Sequence, residues 1–185
     1  MHWLLEHNIA SNRSPYTKSS ETQEWPGARW IVTMTFTNMT RREGQSLSAF
    51  INSLRGPSGK FRLFHFECPT PLGTVTGTPR IKGAEQTGDS ILVDGLPSNT
   101  TGVFELGDFI GIGDEIKQIT ARVDSDENGE ANIAITPNIR ITPSDDALVV
   151  YGSSTAIFSL KDNQQGAFGF ETSVADVEIQ IEEAF

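Results

Sequence analysis

The chain has 185 residues, 37% of them hydrophobic, with 14 Lys/Arg against 24 Asp/Glu, a formal net charge of −10 and a single cysteine, Cys68. That length supports one sizeable core or two small ones, and one cysteine excludes an internal disulfide framework and a cysteine-based zinc cluster. The negative charge speaks against tight nucleic-acid binding, and no apolar run approaches the ~20 residues that span a bilayer, so no membrane association is expected.

In chain order, the opening MHWLLEHNIASNR lacks a basic start followed by a long apolar stretch, so no secretory leader is expected. His7 to Trp25 carries no strand signal and is expected to be either mobile or ordered only by a partner. Tyr16, Trp25, Trp30 and Phe36 make this region rich in aromatics. They either pack in the core or present a sugar-stacking or partner-docking surface, for which Tyr16, Trp25 and Trp30 are the candidates. Trp30 to Thr37 alternates bulky residues with Thr at period two, the pattern of a half-buried strand. Thr40 with Glu43 three residues on forms a capping box. Leu47, Phe50, Ile51 and Leu54 follow at helical spacing, and Gly56-Pro57 ends the pattern, predicting one helix over about 41–55. Lys60 to Phe66 alternates again as a strand.

From Cys68 the run PTPLGTVTGTP reads as a linker or boundary. Short strands are predicted at Ser90–Val93, Phe109–Ile112, Glu115–Val123, Ala131–Ile135 and Ala147–Tyr151, at the spacing of a small barrel of OB or related type. Ala156–Leu160 is a further strand, Gly169 to Val174 leads into the last one, and Asp176–Glu182 alternates strictly. The fold class is therefore mainly β with one helix. Residues 1–66 plus 152–185 are expected to form one split domain, and 67–151 an inserted β-barrel. Charge follows this division: residues 1–65 carry eight Lys/Arg and four Asp/Glu, 66–150 five and fourteen, and 151–185 one and six. Such asymmetry suits head-to-tail packing of copies, or is ordinary solvated charge.

Candidate chemistry fails on spacing. DSDENGE at 124–130 begins like an EF-hand loop, but its twelfth position is Ile135, where calcium needs a bidentate carboxylate, and strands flank it where helices are required. It reads as a hairpin tip with Asn128-Gly129 at positive φ. His65-Phe-Glu67-Cys68-Pro69 has the start of a zinc deaminase signature without the second cysteine. Gly56-Pro-Ser-Gly-Lys60 follows a helix where a phosphate loop would open one, and reads as a turn. His2, His7 and His65 form no ligand-spaced pair, and no Gly-x-Ser-x-Gly elbow occurs. Carboxylates are plentiful, and spacing alone identifies no acid pair among them. Asn38-Met-Thr40 and Asn99-Thr-Thr101 match the glycosylation sequon, which matters only in a secretory route. Neither catalytic residues, cofactor nor metal are expected.

Gln23-Glu-Trp-Pro-Gly-Ala-Arg-Trp30 with the strand and helix after it, Leu54-Arg-Gly-Pro-Ser-Gly-Lys-Phe61, Gly83-Ala-Glu-Gln-Thr-Gly88, Leu106-Gly-Asp-Phe-Ile-Gly-Ile-Gly113 and Ile135-Thr-Pro-Asn-Ile-Arg140 resemble the distal tail proteins of long-tailed (siphovirus-type) bacteriophages. The likeness covers most of the chain from about Gln23 onward and contains no catalytic signature. It implies a tail-tube-like β-sandwich domain with a flanking helix, carrying an added OB-like or galectin-like β-domain. It further implies a homohexameric ring at the tail tip or baseplate of the virion, made in the host bacterial cytoplasm. Its implied partners are other copies of itself, the tail tube protein, the tail hub protein and the tape-measure protein. An acidic ring lumen would let DNA slide past without sticking. The barrel would face neighbours or host saccharide. The competing expectation is a carbohydrate-binding β module used in host-surface attachment, resting on the OB-like barrel and the aromatic-rich strands.

Overall fold

A computed structural model describes residues 1–25, 27–171 and 174–185. The first strands are β1 (His2–Glu6), β2 (Ile9–Arg13), β3 (Ser20–Glu24) and β4 (Arg29–Thr40), followed by the one α-helix among the described residues, α1 (Arg41–Ser53). Then come β5 (Lys60–Phe64), β6 (Arg80–Ile81), β7 (Gly88–Asp94), β8 (Phe109–Ile112), β9 (Glu115–Ile119), β10 (Ala131–Ile139) and β11 (Val149–Val150). The chain closes with β12 (Thr155–Leu160), β13 (Gly169–Glu171) and β14 (Val174–Glu183). It is thus mainly β with one helix, as its composition and periodicity predict. The expected strand lead-in over Gly169–Val174 falls partly on Thr172 and Ser173, which lie outside the described residues, as does Pro26. No helix among the described residues is long and apolar enough to cross a membrane.

Two compact units are present: Met1–His7, Arg29–Arg62 and Ile157–Phe185 in one, and Asn8–Ala28 with Leu63–Ala156 in the other. Residues 8–28, expected with the first group, belong to the second. Their register explains how: Glu6 pairs with Arg29 across the antiparallel β1–β4 ladder, so residues 7–28 fill the turn of that hairpin. They are not strandless either. β2 and β3 pair antiparallel from Ile9↔Glu24 to Arg13↔Ser20.

The first unit is built on an antiparallel sheet with order β1-β4-β14-β12-β5, β13 pairing β14 at its margin. Alternation sorts its faces. Trp30, Val32 and Met34 on β4 align with Ile181 and Ile179 on β14 and with Phe158 and Leu160 on β12, all buried. Glu178 and Glu182 point the other way, where Arg29 bridges Glu6 and Glu182 at 3.3 and 3.1 Å. Helix α1 covers part of the apolar side with Ile51 and Leu54. Its start is the predicted capping box: Thr40 Oγ1 accepts from the Glu43 amide and Glu43 accepts from the Thr40 amide. Its end differs from expectation. The left-handed turn begins one residue early, at Arg55 (φ 54°), before Gly56 (φ 68°). Phe50 is 45% exposed, resting edge-on against Phe61 at 5.7 Å, and is no core residue.

The second unit holds a sheet of order β11-β8-β9-β10-β7-β6. An Arg80–Leu148 bridge and the Val149 N–H to Pro79 carbonyl bond of 2.9 Å bring its two edges together, so the sheet is barrel-like and nearly closed. Ile81, Ile91, Val93, Phe104, Ile110 and Ile133 are among the side chains in its single core cluster. At roughly 1.5–3 kcal/mol per fully buried side chain, this core is the main source of the unit's stability. The run 69–79 is not a linker. The Leu72 and Gly73 amides donate to the buried Asp108 carboxylate at 2.6 and 3.1 Å, and Val75 enters the core. Strand β9 ends at Ile119, short of the predicted Val123, and β11 shrinks to two residues.

Candidate functional site

The three aromatic candidates are not brought together. Trp30 is a core residue, 5% exposed, packed edge-on against Trp3 at 5.9 Å, with its amide donating to Glu183. It presents no docking surface. Tyr16, 94% exposed, sits at the tip of the β2–β3 hairpin, and Trp25, 49% exposed, at its base. The tip is an ordered turn: Ser14 Oγ accepts from the Tyr16 and Thr17 amides, each at 3.3 Å, and the Ser14 amide donates to the Ser19 carbonyl at 2.9 Å. Lys18 takes a left-handed conformation (φ 59°) to complete it. At the base, the Trp25 amide donates to the Asn8 carbonyl at 2.8 Å. All ten residues of β2 and β3 are exposed, so polarity hid this hairpin from any burial periodicity. Only the turn residues Ser14-Pro15 could have signalled it.

DSDENGE lies in the connection between the antiparallel strands β9 and β10. Asp126 Oδ1 accepts from the Asn128 and Glu130 amides, both at 2.8 Å, which holds its carboxyl below the usual range. Asp124 accepts from the Gly102 amide at 2.7 Å. The acids thus cap backbone. Only Gly129 has positive φ (75°); Asn128 does not, correcting the expected Asn-Gly pair. A Cβ at Gly129 would also collide with the Leu96 carbonyl oxygen. Among the described residues no group of three or more His, Cys, Asp or Glu is placed to hold a metal ion.

His65 is buried and stacked on Phe109 at 4.7 Å, whereas Glu67 and Cys68 are exposed, so the deaminase-like run does not converge on one point. Burial pushes the His65 imidazole below its usual pKa and the Cys68 thiol above its own. Other buried charges lie elsewhere in the barrel. Lys117, 1% exposed, pairs with Glu115 and donates to the Asn138 carbonyl at 2.8 Å. Glu115 also accepts from the Ile141 amide at 2.8 Å, and Arg140 Nη1 reaches the Ala28 carbonyl at 2.7 Å. Sequence spacing gave no hint of this cluster, because its members come from β9, β10 and the segment after it. It ties the base of the hairpin segment to the barrel, and its one acid, Glu115, is buried and occupied by these contacts.

A shallow apolar groove of about 240 Å³ runs between Gly77–Pro79 and Leu148–Gly152. Its one phenol, Tyr151, donates to the Gly77 carbonyl at 3.1 Å. The groove suits an apolar segment and offers no free general acid or base. No family model matches the chain, and no curated protein matches its sequence.

Proposed function

We propose that this chain is a structural subunit of a bacteriophage tail tip, forming a ring that joins the tail tube to the hub and fibres and performing no catalytic step. The observation that carries the reading is the architecture joined to the residue-level resemblance. An antiparallel sheet with one capped helix is interrupted between β5 and β12 by a small barrel, the plan that distal tail proteins would require. The polar face of that sheet, with Glu178, Gln180 and Glu182 on β14, suits a lumen through which DNA passes. Self, tube, hub and tape-measure proteins are the partners this reading assigns. Light scattering and negative-stain imaging of the purified full chain test it, with closed rings, six-fold on this reading, as the expected result. A monomer at all concentrations, together with normal tail assembly in a phage lacking the chain, overturns it.

The carbohydrate-module reading has less support. Tyr16 and Trp25 stand at opposite ends of a hairpin, so they cannot sandwich one sugar ring. Binding on a glycan array at millimolar sugar would revive that reading.

A further inference from the structure

The β2–β3 hairpin buries none of its strand residues, although a lone two-stranded ribbon is marginally stable in water. Its tip is basic. Arg13 and Lys18 flank Tyr16, and residues 8–20 hold no Asp or Glu. Among the described residues neither cation pairs with a carboxylate of its own chain. The barrel carries the opposite charge at the open end of the β7–β10 ladder. Lys82 pairs there with Glu130, and Asp94 and Asp126 also lie in its field. Glu127, exposed in the same turn, adds a fourth carboxylate, against Lys82 and Arg80, which stands across from Asp94 and reaches Asp146.

We propose that the hairpin tip of one copy docks on the Asp94, Glu127 and Glu130 patch of a second copy, Arg13 and Lys18 meeting the carboxylates and Tyr16 covering the turn. The proposal rests on the ring reading and specifies its joint. Opposite charges on one chain favour a second copy of that chain as the occupant. Tip and patch are different surfaces, so the contact is head-to-tail, the kind that closes rings when the rotation permits. A joint held by exposed ion pairs must also weaken with salt.

The test uses the full chain in low salt, with light scattering for assembly and circular dichroism for folding. Arg13→Glu with Lys18→Glu should leave the spectrum unchanged and raise the concentration for half-assembly by about tenfold or more. Adding Asp94→Lys and Glu127→Lys to that variant should restore assembly by exchanging the charges. If the tip variant assembles like the native chain, the joint is wrong while the ring reading stands. If assembly is lost and the exchange fails to restore it, the patch is not the acceptor and the proposal falls. A native chain that never assembles, in a phage whose tails form normally without it, removes the ring reading itself.

Discussion

Asp108 is 3% exposed, and its two oxygens accept from the amides of Leu72, Gly73 and Glu105. Asp108→Ala leaves three part-buried backbone donors without their acceptor and should cost about 3 kcal/mol in chemical denaturation, loosening the 69–79 run first. Glu115→Gln tests the neighbouring buried charges: it weakens the contact that neutralises Lys117 and should destabilise by roughly 3–5 kcal/mol. Pairing it with Lys117→Met should recover part of that loss, because the unpaired ammonium is then gone. His65 sets a pH signature. Its folded pKa lies below the ordinary 6.5, so the unfolded chain takes up the proton first. Stability is complete above that value and declines as pH falls below it. His65→Gln should flatten the fall in melting temperature that begins as pH drops below about 6.5. The depressed carboxyls of Glu43 and Asp126 act in a separate window, their contribution fading only below about pH 4.

Helix α1 carries the clearest element-scale predictions. Thr40→Ala removes half of the capping box and should cost about 1 kcal/mol. Ile51→Ala, at a buried position, should cost roughly 2–5 kcal/mol, whereas Phe50→Ala should cost about 1 kcal/mol because its ring is already half in water. Equal effects of the two in urea unfolding would mean that the apolar stripe is rotated from where it packs. This helix was legible in the sequence because its cap, stripe and stop are local. Strands β4 and β14 were legible because burial on one face writes period two into the residues, and β8, buried on both faces, because a short apolar run stands between turn residues. β2 and β3 have no buried face and so no such signature. β6 escaped notice because two residues carry no period, and the 69–79 run because an Asp108 carboxylate far along the chain organises it. Of the candidate docking residues, an aromatic type alone could not separate buried Trp30 from exposed Tyr16.

At the scale of the whole molecule, both pieces of the second unit leave from the sheet unit and return to it. One fills the β1–β4 turn and the other lies between β5 and β12, which are hydrogen-bonded neighbours. Replacing 8–28 and 65–154 by short turns should therefore leave a chain that keeps its β spectrum and melts cooperatively. Loss of cooperativity in that chain would show that the sheet depends on the inserts. The acidic surplus is concentrated outside residues 1–65, so raising salt should relieve self-repulsion in the isolated chain while loosening any charge-held contact between copies.

The order of strands has a consequence for synthesis. β14 lies at the centre of the sheet, between β4 and β12, yet it leaves the ribosome more than a hundred residues after β4. At ~5–20 residues per second, β4 waits on the order of ten seconds with one edge unpaired, while every strand of the barrel emerges and can close. A nascent chain is therefore most exposed to wrong pairing along β4. A stop codon placed just before Val174 would release a finished barrel attached to a sheet without its middle.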